Sequence, residues 1–339
     1  MIPIIDLHCD TLSKLSSSPS AFFLPPEKAQ SHVFLSGLCT SDVLLQCFAI
    51  FTDLYEPGEG TPVSHLLKQV SCFRTFLSEA SETLAPVRTY SDILTNKEQG
   101  KISALLSLEE SCLSEEVLSL LPTLYSLGVR MATLTWNYPN LLGSPASDLT
   151  LSLPQDRQPP SFLADVRHLH DGLTPLGFDF VEEAERLGIL IDVSHLSDAG
   201  FYNVAAHSKK PFLASHSNAR NICNVPRNLS DDMLRVLAEH GGVTGLNLCE
   251  HFLVSAPSSA EELLDALVCH ARHIVSVAGI DSIALGTDFD GIPTNAAIPD
   301  VTCLFRLERA LRAAGFSSGE LDKLFYQNAL RVLKECLPA

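Results

Sequence analysis

The sequence predicts an α/β fold, a (β/α)8 TIM barrel with a C-terminal helical extension. Three observations predict it. Eight short apolar runs alternate with longer amphipathic segments, the pattern of a parallel sheet covered by helices. Several of those runs end in histidine or an acid, which a strand buried on both faces gives no reason to expect. The chain's 339 residues, 46% hydrophobic and 19% charged, suit one barrel of about 250 residues plus insertions. The expected organisation is therefore a single catalytic domain over 1–339, with a long active-site loop at about 140–174.

In chain order the expected strands are 4–8, 43–51, 102–108, 130–135, 189–193, 212–215, 243–248 and 282–287. Helices fill most gaps, at 62–84, 115–127, 175–187, 198–207, 231–240 and 260–278, with two more near 303–314 and 319–336. Local chemistry supports the boundaries. Thr174-Pro175 reads as an N-cap followed by a first-turn proline, and Gly188 as the stop. Ser230-Asp231-Asp232 reads as a cap with acids in the first turn, and Gly241-Gly242 as the stop. The stretch 143–172 has Pro, Ser and Asp but weak periodicity, and follows the fourth strand on the face where barrel active sites lie.

Composition narrows the partners. With 23 Lys+Arg against 40 Asp+Glu the formal charge is −17, which repels nucleic acid and anionic membranes. No run reaches the ~18 apolar residues of a spanning helix. Residues 1–10 show neither the basic region nor the apolar core of a secretion signal. Ten cysteines stand singly with no C-x-x-C pair, and read as reduced small hydrophobes. A cytoplasmic enzyme is expected.

The chemistry gathers at the strand ends. The first run ends His8-Cys9-Asp10, the third Glu109-Glu110, and the eighth Asp288-Phe289-Asp290; His195 follows the fifth and His216 the sixth. C-terminal strand ends of a barrel converge on one site. Imidazole and carboxylate together suit zinc or a similar divalent ion. In His8-x-Asp10 both side chains share one face of an extended segment. No lysine ends a strand to bridge two ions, so a carboxylate must; Glu109 ends the right strand, and register decides between it and Glu110. Asp288 is placed to ligate or to take a proton from water, whereas Asp290 suits an Asp-Gly turn. Arg227, in the loop after the sixth strand, is suited to hold a substrate carboxylate bidentately. His32, His65, His207, His240, His251, His270 and His273 lack partner spacing; His270 and His273 share a helix face, which solvent exposure explains equally well. His168 and His170 lie in the long loop.

Seven stretches carry a resemblance: 6–12 (DLHCDTL), 128–137 (GVRMATLTWN), 172–177 (GLTPLG), 191–198 (IDVSHLSD), 211–219 (PFLASHSNA), 225–228 (VPRN) and 286–293 (GTDFDGIP). In these the chain resembles the membrane dipeptidase (renal dipeptidase) family of zinc peptidases, in its soluble bacterial branch. The resemblance implies a barrel of the metallo-dependent hydrolase type holding two Zn2+ per chain. His8 and Asp10 would ligate the first ion, Glu109 would bridge, and His195 and His216 would ligate the second. Asp288 would be the acid/base residue, and Arg227 the contact for the substrate's terminal carboxylate. A water held between the ions would attack the peptide bond of small unblocked dipeptides, including ones with a C-terminal D-residue. No nucleic acid or membrane partner is implied, and a homodimer is compatible with the family.

Two departures stand out. Glu109 is followed by Glu110-Ser111 rather than by Gly-Gly or Asp-Gly. Trp136 stands where the renal enzymes carry a substrate-binding histidine, so Trp136 and Asn137 become the expected substrate contacts, with Asn137 or a loop histidine replacing the lost donor. The alternatives are a lactonase or amidase on the same metal site, or a metal-binding scaffold without turnover.

Overall fold

A computed structural model describes residues 2–55, 60–151, 157, 159–164, 166 and 172–338. Its strands are β1 (Ile4–Asp6), β2 (Val43–Phe51), β3 (Leu84–Pro86), β4 (Ile102–Glu109), β5 (Val129–Thr133), β6 (Leu190–Asp192), β7 (Thr244–Leu246) and β8 (Ile283–Leu285). They pair in parallel in the order β6-β5-β4-β2-β1-β8-β7, with β3 alongside the start of β4. Nearly every strand residue is buried, as helices on the outer face require.

The expected strand 212–215 appears only as single parallel bridges, Asp192 to Leu213 and Ala214 to Thr244. These join β6 to β7 and complete the ring. The strand is cut short because a side chain takes over its ladder: the Ser215 N–H donates to Asp192 Oδ1 at 2.9 Å. The Ser215 carbonyl then points inward, and a Cβ at Gly286 would lie 1.7 Å from it. Only glycine fits there.

The helices Pro175–Leu187, Asp198–His207 and Ala260–Ala278 have the expected bounds. The helix expected over 62–84 stops at Glu79, because the Thr83 and Leu84 N–H groups turn back onto the Ala80 carbonyl and the chain enters β3. Short helices at Thr11–Leu15, Leu35–Thr40 and Tyr90–Glu98 were not expected. The C-terminal helix is interrupted by a π turn, Lys323–Gln327, before Asn328–Cys336.

That last helix closes the ring from below. Ala329, Val332, Leu333 and Cys336 pack into one cluster with Ile5, Leu45, Leu105, Met131 and Leu213 of the strands. Arg331 bonds the Gly241 and Asp281 carbonyls, and Asn328 bonds Ile283. All of these lie at the starts of strands, leaving the C-terminal ends for chemistry.

Candidate metal centre

β1 runs into His8, Cys9 and Asp10, and strand alternation separates them. Cys9 turns into the core and bridges Phe289, while His8 Nε2 lies 3.3 Å from Asp10 Oδ2. Glu109, the last residue of β4, reaches both sides of the site. Its Oε2 is 3.5 Å from His8 Nε2, and its Oε1 is 2.9 Å from His195 Nε2 and 3.8 Å from His216 Nε2. Glu110, at φ 65°, turns the other way. It accepts from the Cys112 N–H (2.8 Å), Asn140 Nδ2 (2.7 Å) and the Trp136 N–H (3.0 Å). Register therefore sends Glu109 to the histidines and Glu110 to the loop after β5, where burial pushes its carboxyl up to about 7.

Each histidine after β6 is oriented from behind. Asn137 Oδ1 lies 2.8 Å from His195 Nδ1, and an amide oxygen only accepts. Nδ1 therefore carries the hydrogen, and Nε2 presents a lone pair. Ser215 Oγ donates to Asp192 Oδ2 at 2.5 Å and lies 2.7 Å from His216 Nδ1. That hydroxyl hydrogen is thus spent, so His216 also donates through Nδ1 and presents a lone pair at Nε2. The two Nε2 atoms are 2.9 Å apart, with Glu109 Oε1 beside them. Burial holds both imidazoles well below their ordinary pKa, hence neutral. Acceptor facing acceptor at this distance is repulsive unless a cation lies among them.

Asp288 completes the ring from the loop after β8. Its Oδ2 accepts from Asn247 Nδ2 at 2.8 Å, and burial pushes its carboxyl up to about 6. Burial, and then Asp10, push Glu109 up to about 8. Carboxyl groups raised in this way belong to a site short of positive charge. Three buried sets could each hold an ion, their ligand atoms within 4.8 Å of one another: His8, Asp192 and His216; Glu109, His195 and His216; His8, Asp10 and Asp288. Neither ring nitrogen of His8 nor Oδ1 of Asp10 has a hydrogen-bond partner. The residues present thus fit a divalent cation. Gly291 lets the loop approach this closely: a Cβ there would lie 2.2 Å from Asp10 Oδ2 and 2.7 Å from Asp288 Oδ1.

Among the described residues the non-glycines with positive φ are Asp42, Glu110, His195, Asp288 and Asp290. All but the first stand at the rim of this site. Such backbone costs about 1–3 kcal/mol each and persists only where the surroundings over-determine it.

Arg227 is 5% exposed. Nη1 lies 3.3 Å from Ser217 Oγ, while Nε and Nη2 have no partner. Its position is set by Arg220, whose Nε donates to the Asn228 carbonyl (2.8 Å) and Nη2 to the Pro226 carbonyl (3.0 Å). Arg220 is itself forked onto Asp198 at 2.6 and 2.7 Å. The Trp136 ring is half-buried, 4.8 Å from Phe51 and 6.2 Å from His195 between centroids.

The sequence reading did not single out Asp192, Ser215, Asn247 or Arg220. Asp192 carried a signal, a carboxylate inside the apolar run 189–193. His270 departs from expectation: it is fully buried, between the Ala219 N–H and the Leu253 carbonyl. His168 and His170 lie outside the described residues.

A parallel barrel with clustered imidazoles and carboxylates above its strands defines a metal-dependent hydrolase. The sequence profile of the membrane dipeptidase family, peptidase family M19, matches residues 1–337, and the chain belongs to that family. It is 32% identical to an uncharacterized Klebsiella pneumoniae protein from the pqqA 5′ region over 276 residues, 81% of this chain and 97% of the relative. It is 30% identical to an uncharacterized dipeptidase of Schizosaccharomyces pombe over 321 residues, 90% of this chain and 72% of the relative. A Rhodobacter sphaeroides metallo peptidase, solved with a phosphinate mimic of L-Ala-D-Ala, superposes with TM-score 0.84 at 25% identity over 99% of both chains. No helix among the described residues is long and apolar enough to cross a membrane.

Proposed function

We propose that the chain is a binuclear zinc dipeptidase acting on small unblocked dipeptides, including those with a C-terminal D-residue. The observation that carries this reading is the convergence of His195 Nε2, His216 Nε2 and Glu109 Oε1 as facing acceptors. His195 and His216 would hold one ion, His8 and Asp10 the other, with Glu109 reaching both. When bound, the ions supply an activated water and polarise the scissile carbonyl.

The chain's own residues supply the rest. Arg227, with Nε and Nη2 unpartnered, receives the substrate's terminal carboxylate as a fork. This favours an unblocked dipeptide over a lactone or a blocked amide. Asp288, its Oδ2 held by Asn247, uses Oδ1 to take a proton from the attacking water and pass it to the departing amine as the C–N bond breaks. The Asn137 oxygen is committed to His195, leaving its amide nitrogen as the donor toward the oxyanion. Trp136 and Phe51 wall the mouth. The likeness to the Rhodobacter sphaeroides protein solved with an L-Ala-D-Ala mimic supports acceptance of a C-terminal D-residue. All ten cysteines are free thiols, which supports a reducing, cytoplasmic setting, and we read 1–339 as one catalytic domain.

The test combines metal analysis with a dipeptide screen. Two zinc ions per chain, turnover of L-Ala-L-Ala and L-Ala-D-Ala, and loss of turnover with retained zinc in Asp288→Asn are expected. Two bound zinc ions without turnover of any dipeptide would overturn the reading.

A further inference from the structure

The ring runs β1, β2, β4, β5, β6, the 213–214 segment, β7 and β8. The segment leading to Arg227 is therefore four steps from β2 in a ring of eight, half-way round. If Arg227 takes the carboxylate, as the dipeptidase reading has it, the substrate's N-terminal residue points toward the end of β2. A cavity of about 690 Å³ lies there. It opens beside Phe51, the register partner of Glu109, and beside Asp290, two residues past Asp288. Gln69 pins that wall by accepting from the Phe51 N–H (3.0 Å) and donating to the Phe51 carbonyl (2.5 Å).

This cavity is less acidic than the chain, because Lys14 and Lys68 balance Asp53 and Asp290 in its lining. The protein carries −17 overall, yet Lys14, His65 and Lys68 all line this space. Its two acids are already engaged. Asp290 is buried and accepts from Thr11 Oγ1 (2.7 Å), the His32 N–H (2.7 Å) and Lys14 Nζ (3.1 Å). Asp53 accepts from the Tyr55 N–H at 2.9 Å. His65 and Lys68 stand three apart on the helix Pro62–Glu79, and so share a face. Neither side chain has an ion-pair or hydrogen-bond partner among the described residues. With Lys14 taken by Asp290, the Lys68 ammonium, exposed on the helix, is the lysine of this lining without a side-chain partner.

We propose that this cavity is the subsite for the substrate's N-terminal side chain, and that Lys68 selects dipeptides whose N-terminal side chain ends in a carboxylate. Glutamate and glutamine have the same shape, so comparing them isolates the charge. With zinc-loaded full-length protein, kcat/KM for L-Glu-L-Ala should exceed that for L-Gln-L-Ala by about two- to fivefold, and the ratio should shrink at high salt. Lys68→Met should bring the ratio close to one, and Lys68→Glu should favour L-Lys-L-Ala over L-Glu-L-Ala. Lys334→Glu, on the exposed face of the last helix, makes the same change in net charge and should leave the ratio as it is. A wild-type ratio near one, or a ratio that Lys68→Glu does not move, overturns the proposal while L-Ala-L-Ala is still turned over. Failure on L-Ala-L-Ala as well removes the dipeptidase reading and this subsite with it.

Discussion

Replacing Arg220 with methionine tests whether Arg227, the proposed carboxylate anchor, is held in place from outside the site. Arg220 bonds the two carbonyls flanking Arg227, those of Pro226 and Asn228, and braces itself on Asp198. Methionine keeps much of the stem and loses every donor. Hydrogen bonds from a charged donor contribute about 1.5–3 kcal/mol each. The Arg220 and Asp198 side chains are 21% and 48% exposed, so solvent screening reduces the loss to about 1–2 kcal/mol for ordering the loop. At tenfold per 1.4 kcal/mol, KM for L-Ala-L-Ala should rise about 5–30-fold. The kcat should change less than about threefold, because the proposed metal ligands and Asp288 are untouched. The assay is steady-state hydrolysis by zinc-loaded protein. A fall in kcat matching the rise in KM, or an unchanged KM, would refute the reasoning.

Ser215→Ala removes the link between Asp192 and His216, and should weaken zinc at that position about 10–100-fold by competition titration. Asn137→Ala should do the same through His195. Gly291→Ala drives a methyl group against Asp10 and Asp288, so one equivalent of zinc should be lost while the far-ultraviolet dichroism of the barrel persists. His270 titrates at about 4 in the fold, lowered chiefly by burial from 6.5. Its proton is bound more tightly by the unfolded chain, so its stabilisation is present above pH 6.5 and lost as pH falls toward 4. The size is 6.5 − 4 = 2.5 pKa units, about 3 kcal/mol. Urea melts between pH 8 and 4 should show that slope, and His270→Gln should flatten it.

The barrel was legible because buried parallel strands read as apolar runs whatever their neighbours do. Val43–Phe51 has the bounds the sequence predicts, and 102–108 gains only Glu109. What escaped were segments whose backbone is satisfied by side chains. The 212–215 strand shrinks to bridges because Asp192 takes its N–H, a competition that periodicity cannot register. The residue types gathered at the centre were legible from their places after the strands. The groups behind them were not, since Ser215, Asn247 and Arg220 act through hydrogen bonds, which leave no periodic signal in the sequence. Glu109 and Glu110 were inseparable in sequence, because a one-residue shift exchanges their faces. The positive φ at Glu110 separates them.

The pairing of β1 with β8 bears on how the protein is made. Asp6 takes the Thr287 N–H and hydroxyl across 281 residues of chain, and His8 and Asp10 meet Asp288 along the same seam, where the Asp288 N–H donates to the His8 carbonyl and the Asp10 N–H to the Phe289 carbonyl. On the ribosome, which adds about 5–20 residues per second, the first two wait ~15–55 s for their partner. The His8–Asp10–Asp288 position is therefore a late event of synthesis, and cannot serve as a nucleus around which the nascent chain folds.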